Sequence, residues 1–341
     1  MKRGLLPLAL LTILIVALGA YAETRHSAFL SRTNLNALVL ATMPLALVSL
    51  GQATALLVGG FDVSVAALMT MCVVTASFTL TPGMSTASLF GGALALVGVG
   101  LATGIFNATL IRVFRLPSII ATLGTLSVLE GASLLLRGYP TGAINPDVIS
   151  ALTADVGFLP LAFIALVVLA VAADIWLYRT RSGLALRAVG LDATSSRRLG
   201  MATSRTVILA FVACSLMAAV AGFYLGAEVQ IGSPIIGNQA LESIAAAVLG
   251  GASLAGGKGS YVGTLLAAFF LTEIDNVLPL FQQPTEYADM TIGGLILLAL
   301  VVYQAPELIG RARSARLDRA RIAGPSDHDP DRVDGLVPDR P

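Results

Sequence analysis

The feature that most limits what this chain can become is a succession of apolar runs, each near the length of a membrane crossing, separated by short polar turns. A backbone inside hydrocarbon finds no water, so a spanning segment must satisfy its own amides. A helix of ~20 apolar residues does so across a bilayer core of about 30 Å. Such runs fall at 1–22, 34–58, 63–80, 89–111, 118–136, 159–178, 206–227, 240–256, 260–280 and 290–304. The expected fold is an all-α polytopic membrane protein with about ten transmembrane helices and short broken or re-entrant segments. The first run, framed by Lys2 and Arg3 and ending in Ala20, Tyr21 and Ala22, also suits a cleaved signal peptide, but it reads better as a retained helix.

Composition excludes the alternatives. Charged residues make up 12% of the 341 and apolar ones 56%, whereas a soluble domain carries roughly a quarter charged residues. A net charge of +1 gives no case for nucleic acid. Cys72 and Cys214 lie inside apolar runs, and His26 and His328 stand far apart. No metal site, disulfide framework or cofactor is expected, and no catalytic constellation is found.

Charge position sets orientation. With the N-terminus in the cytoplasm, only Arg25, Arg32 and Arg137 of the 21 Lys and Arg fall outside. Basic loops stay inside, so both termini are expected there. Residues 1–310 then form the membrane domain, with a long cytoplasmic loop at 179–205. Residues 311–341, rich in Arg, Asp and Pro, form a tail expected to be disordered, able to touch anionic lipid but read first as a topology anchor.

That loop is the longest polar run between apolar blocks. Ser182 can cap a short helix carrying Gly183, Leu184, Leu186, Arg187 and Ala188, which Gly190 can stop. Asp192 or Thr194 can cap a second helix carrying Arg197, which Gly200 can end. Two short capped helices at a membrane surface suit a docking element. A plain basic loop that fixes topology suits the same residues.

Three further stretches interrupt the apolar pattern. In GGFDVSVAALM, residues 59–69, Gly59 and Gly60 permit a reversal. Asp62 is placed there as the helix cap, reaching the amides of Ser64 and Val65. In the run 118–136, Thr122, Gly124, Thr125, Ser127 and Gly131 form a small polar stripe. With Asn107 it suits either the lining of a path for a polyol or close helix packing. Glu130 in that run is an intramembrane acid. In GGASLAGGKGSYVGTLL, residues 250–266, the spacing fails a phosphate loop. Gly250, Gly251, Gly256 and Gly257 there suit a broken or re-entrant helix pair. LVGGFDVS at 57–64 and VLGGASLA at 248–255 rhyme, as in a weak internal duplication with parallel orientation.

GGFDVSVAALM, LPSIIATLGTLSVLEGASLLLRG at 116–138, GLALRAVG at 183–190 and GGASLAGGKGSYVGTLL together resemble, in order, four stretches of the ribose/xylose-type ATP-binding-cassette (ABC) permeases. The resemblance spans roughly 34–300. It departs where Ser118 stands at a commonly aromatic position, at Ser195 and Ser196, where an Ala pair is usual, and from Thr272 to Leu280, where small residues are the pattern. It implies a type II-like importer permease that carries a small neutral solute, most simply a monosaccharide. The implied partners are an ABC ATP-binding subunit, an extracytoplasmic solute-binding protein and a second permease subunit in a homodimer or heterodimer. ATP hydrolysis then belongs to the partner and not to this chain. A permease for nucleosides is open under the same resemblance. An ion-coupled secondary transporter would instead use Asp62, Glu130, Glu242, Glu273 and Asp275.

Overall fold

A computed structural model describes residues 2–297 except 158, 236, 238, 285, 286, 288, 289 and 296. The expected tail at 311–341 and most of the run at 290–304 lie outside these residues. The long helices are α1 (Lys2–Arg25), α2 (Arg32–Leu57), α4 (Thr86–Arg112), α5 (Ser118–Leu136), α7 (Leu161–Arg179), α10 (Thr203–Val229) and α12 (Tyr261–Leu280). These seven are long and apolar enough to cross a membrane.

Two expected spans are shorter than the sequence suggested. The run at 63–80 gives α3 (Val65–Thr79) and the run at 240–256 gives α11 (Gln239–Leu249). At 1.5 Å per residue they reach only about 22 Å and about 16 Å, less than the apolar core. Each is entered through irregular backbone, and the reason is local: glycines and polar side chains precede α3, and Ser233, Pro234 and Gly237 precede α11. The all-α polytopic class holds, with fewer full crossings among the described residues than the ten expected.

α10 is the centre, packing on α2, α3 and α4. Small residues allow the approach. A Cβ at Gly51 of α2 would lie 2.8 Å from the Cys214 carbonyl oxygen of α10, and one at Gly104 of α4 would lie 2.8 Å from Val212 Cα. Gly222 of α10 meets Met69 and Cys72 of α3 in the same way. Lipid is as apolar as a protein core, so membrane helices associate through such close packing more than through water exclusion. α12 and α11 pack on α2 from the other side, and α1 lies against α12. There Ala22, Phe29, Leu38 and Val277 form a small core.

The helices are joined at one end by short strands and turns: β1 (Thr141–Ala143), α6 (Pro146–Leu152), β2 (Asp155–Val156), β3 (Leu159–Pro160) and β4 (Ile231–Gly232). β1 pairs antiparallel with β4, and β2 with β3. Arg137 fastens this end to α3, donating from Nε to Ser77 Oγ at 2.7 Å and from Nη2 to Ser77 O at 3.0 Å. At the opposite end α8 (Arg181–Leu191) and α9 (Ala193–Arg198) connect α7 to α10.

Candidate functional site

The α8 end is built from two glycine junctions and the helix laid across them. The first joins α2 to α3. Gly59 takes φ +74°, a left-handed conformation that glycine adopts without strain, and the chain turns there. Beyond it the backbone is irregular up to the start of α3, so its polar groups need partners from elsewhere. α5 supplies them: Phe61 N donates to Ser118 Oγ at 3.1 Å, and Val63 N donates to Thr122 Oγ1 at 3.2 Å.

Asp62 is fully buried in this turn. Its Oδ1 accepts from Ser64 N at 3.0 Å and from Ser64 Oγ at 2.5 Å. Asn107 Nδ2 donates to Ser64 Oγ at 2.9 Å, and Thr125 Oγ1 donates to Asn107 Oδ1 at 2.6 Å. One chain of hydrogen bonds therefore ties α3 to α4 and α5.

This corrects two expectations. Asp62 reaches the amide of Ser64 as expected, but Ser64 is itself the residue before α3, so the bond braces the turn and does not cap the helix. Helical geometry starts two residues later than expected, Ser64 stands at the cap position without a side-chain capping bond, and Asp62 braces the turn before it. Asn107, Thr122 and Thr125 do not border an open path but are buried in the brace. Ser127, placed with them in one stripe, lies about 200° around α5 from Thr125 at 100° per residue. It is exposed with Gly124 and Gly131 on the opposite face.

The second junction joins α11 to α12 through 250–259. Gly251, Gly256 and Gly257 all take positive φ, and Gly250 meets Gly263 backbone to backbone. Asp174 of α7 organises the start of α12. Its Oδ1 accepts from Tyr261 N at 2.7 Å, and its Oδ2 from Ser260 Oγ at 2.8 Å and Val262 N at 3.2 Å. Tyr178, one turn further along α7, donates from Oη to Gly259 O at 2.7 Å. The sequence reading missed both residues. The signal was an acid inside an apolar span just before an arginine-rich loop, where nothing nearby in sequence could balance it.

The two rhyming segments meet. Gly257 N donates to Leu57 O at 2.9 Å, so the second junction is bonded to the end of α2. α8 lies on this meeting point: Gly190 abuts Leu57 O, and a Cβ at Gly256 would stand 2.6 Å from Gly190 O. Val189 joins Ala108, Val207 and Phe211 in a core shared with α4 and α10.

Several expectations for the loop change as a result. Thr180, not Ser182, caps α8, because its hydroxyl accepts from Gly183 N at 3.1 Å. Gly183 meets the backbone of Leu177, which folds α8 tightly back on α7. Gly190 does not stop α8, which continues to Leu191; it is glycine because backbone approaches it. Leu186 is buried inside this chain, while Leu184 stays exposed. The Arg187 guanidinium lies 4.6 Å over the Tyr178 ring, with Ala188 also half-buried beside it. Asp192 does cap α9, accepting from Thr194 N at 2.8 Å and Ser195 N at 3.1 Å. The Ser195 hydroxyl and amide hold its carboxyl below the usual range. Gly200 follows α9 with φ +80°, and Arg197 is exposed.

A bundle whose half-length helices enter through buried polar turns, with a rigid helix docked across those turns, defines a membrane transport protein. The family model for the branched-chain amino acid transport system permease component matches residues 34–300, and the chain belongs to that family. It is a multi-pass protein of the inner membrane. Three relatives are each called autoinducer 2 import system permease protein LsrC. The one from Enterobacter sp. (strain 638) is 37% identical over 88% of this chain and 86% of its own. The one from Klebsiella pneumoniae is 36% identical over the same shares. The one from Yersinia pestis (strain Pestoides F) is 35% identical over 80% and 75%. No solved structure matches.

Proposed function

We propose that this chain forms the membrane path of an ATP-driven importer, with α8 and α9 receiving the stroke of a separate ATP-binding subunit on the cytoplasmic side. The observation that carries the reading is the seat of α8 on both glycine junctions at once. A helix that docks a partner must be stiff and must bear on whatever moves. Here Gly190 bears on Leu57 O, while the neighbouring Gly256 and Gly257 belong to the other break. The first break in turn is hydrogen-bonded to α4 and α5. The exposed side of the element, with Leu184, Leu191, Arg197, Arg198 and Leu199, is left for the partner. Ser182, Arg187 and Asp192 then serve the element from within, beside Thr180.

The charge distribution supports a cytoplasmic side for both termini and this element, which leaves the α6 end to face an extracytoplasmic solute-binding protein. A second permease subunit covers the open face of α5. The cargo is a small neutral solute; autoinducer 2, named in the relatives, is the first candidate and monosaccharides the next.

The test is reconstitution of this chain with its ATP-binding subunit in lipid vesicles. Uptake of autoinducer 2 or of a neutral monosaccharide is expected only with ATP and only when both subunits are present. Uptake that follows a proton or sodium gradient without ATP would establish the ion-coupled reading instead.

A further inference from the structure

Glu130 is the acid that the brace and α8 leave unexplained. It is the thirteenth residue of α5, about 18 Å from one end of the helix and about 9 Å from the other, and so well inside the apolar span. A carboxylate at such depth costs at least about 2.5 kcal/mol on insertion scales and is seldom turned towards lipid. Here it does not face lipid alone. It borders a cavity of about 290 Å³ whose other walls include Ala66, Ala67 and Thr70 of α3 and Pro234 before α11. Ligand sites run from roughly 300 Å³ upward, so this space suits a molecule of a few carbon atoms.

We propose that this cavity is a station for the solute on its way through the membrane, and that Glu130 accepts hydrogen bonds from the hydroxyls of a neutral polyol there. The proposal rests on the permease reading. The chemistry of the walls defines the class. Thr70 already donates its hydroxyl to Ala66 O at 3.1 Å, so towards the cavity it offers acceptor lone pairs. A carboxylate offers acceptors only, and its two oxygens suit a pair of neighbouring hydroxyls. A solute rich in O–H donors is matched, while an anionic solute of the same size meets an unpaired like charge. Discrimination therefore comes from repulsion as well as from attraction. The remaining walls, which include Leu134 and Ile235, are apolar and add no further side-chain hydrogen bonds, which favours release.

The experiment uses the assembled importer in vesicles, with ribose as the neutral probe and ribonate as the anionic one. For Glu130→Gln, the expected result is a tenfold or greater loss of ribose uptake, with ATP hydrolysis within about twofold of the parent and ribonate now entering. Ribose uptake at the parental rate with ribonate still excluded would overturn the proposal. A second arm works without uptake: Thr70→Cys is expected to react with a small cationic thiol reagent, and ribose is expected to slow that reaction. Cys72 and Cys214 are buried and give little background. A Thr70→Cys variant inert under all nucleotide conditions would also overturn it. If the parent shows no ATP-dependent uptake, the importer reading fails, and the labelling arm still decides whether the cavity binds polyol.

Discussion

The two glycine junctions solve one problem by different means. Both return the chain towards the membrane after an α2 or α11 helix, and both leave polar backbone that must be satisfied. At 59–64 the acid comes from the turn itself: Asp62 reaches Ser64, two residues away, and the brace is extended by Asn107 and Thr125. At 250–259 the acid comes from another helix, since Asp174 of α7 reaches the first amides of α12. The first arrangement is buried and central, so removing it unpairs groups that no water can reach. The second is a helix cap, partly shared with Ser260, whose own hydroxyl accepts from Gly263 N at 3.0 Å. The lesson is that similar sequence words carry different mechanical weight according to where their carboxylate originates.

The largest effect is expected from Asp62→Leu. It leaves two buried donors of Ser64, the amide N–H and the hydroxyl O–H, without their acceptor, each at about 1–3 kcal/mol. Folded protein in the membrane should fall sharply, while Asp62→Asn, which keeps an acceptor, should preserve most of it. A parental yield of the Leu variant with uptake abolished would make Asp62 a solute ligand and erase the contrast with Asp174.

Gly190→Ala acts on both junctions together. Its methyl would press on Leu57 O, and overpacking of this kind costs about 1–3 kcal/mol. The ATP-binding subunit should still co-purify and hydrolyse ATP, whereas uptake per ATP should drop severalfold. Unchanged uptake would show that α8 does not act through this contact.

Asp174→Ala is expected to cost less, about 0.5–2 kcal/mol as for loss of a helix cap. Hydrogen exchange sharpens the comparison: amides in the first turn of α12 should exchange faster while those at the start of α3 stay protected. Equal acceleration at both sites would mean that the junctions open as one unit.

The smallest effect belongs to Asp192. Its carboxyl is held below the usual range by Ser195, so the cap on α9 is complete above the unfolded value of about 3.9 and is lost as pH falls below it. Neutral-pH uptake should not depend on this titration. Exchange at Thr194 and Ser195 should quicken only in that acid window, and an Asp192→Asn variant should lose the pH response.

The sequence by itself determined the membrane class, the placement of the seven long spans and the broken character of both glycine segments. Those properties are local, since a segment in hydrocarbon must bond its own backbone and glycine or an acid in an apolar run marks where it does not. Tertiary structure decided which face of each helix looks inward. Thr125 and Ser127 are equally small and polar, yet one is locked to Asn107 and the other is open. Periodicity could not tell them apart because lipid and protein interior are both apolar, so the buried side of a spanning helix carries no hydrophobic signature. It likewise could not show that Gly190 is pressed by Leu57 rather than ending a helix, or that Asp174 serves a helix 87 residues away at Tyr261. Such partners are set by which helices pack together, and that choice rests on shape and hydrogen bonding across the bundle.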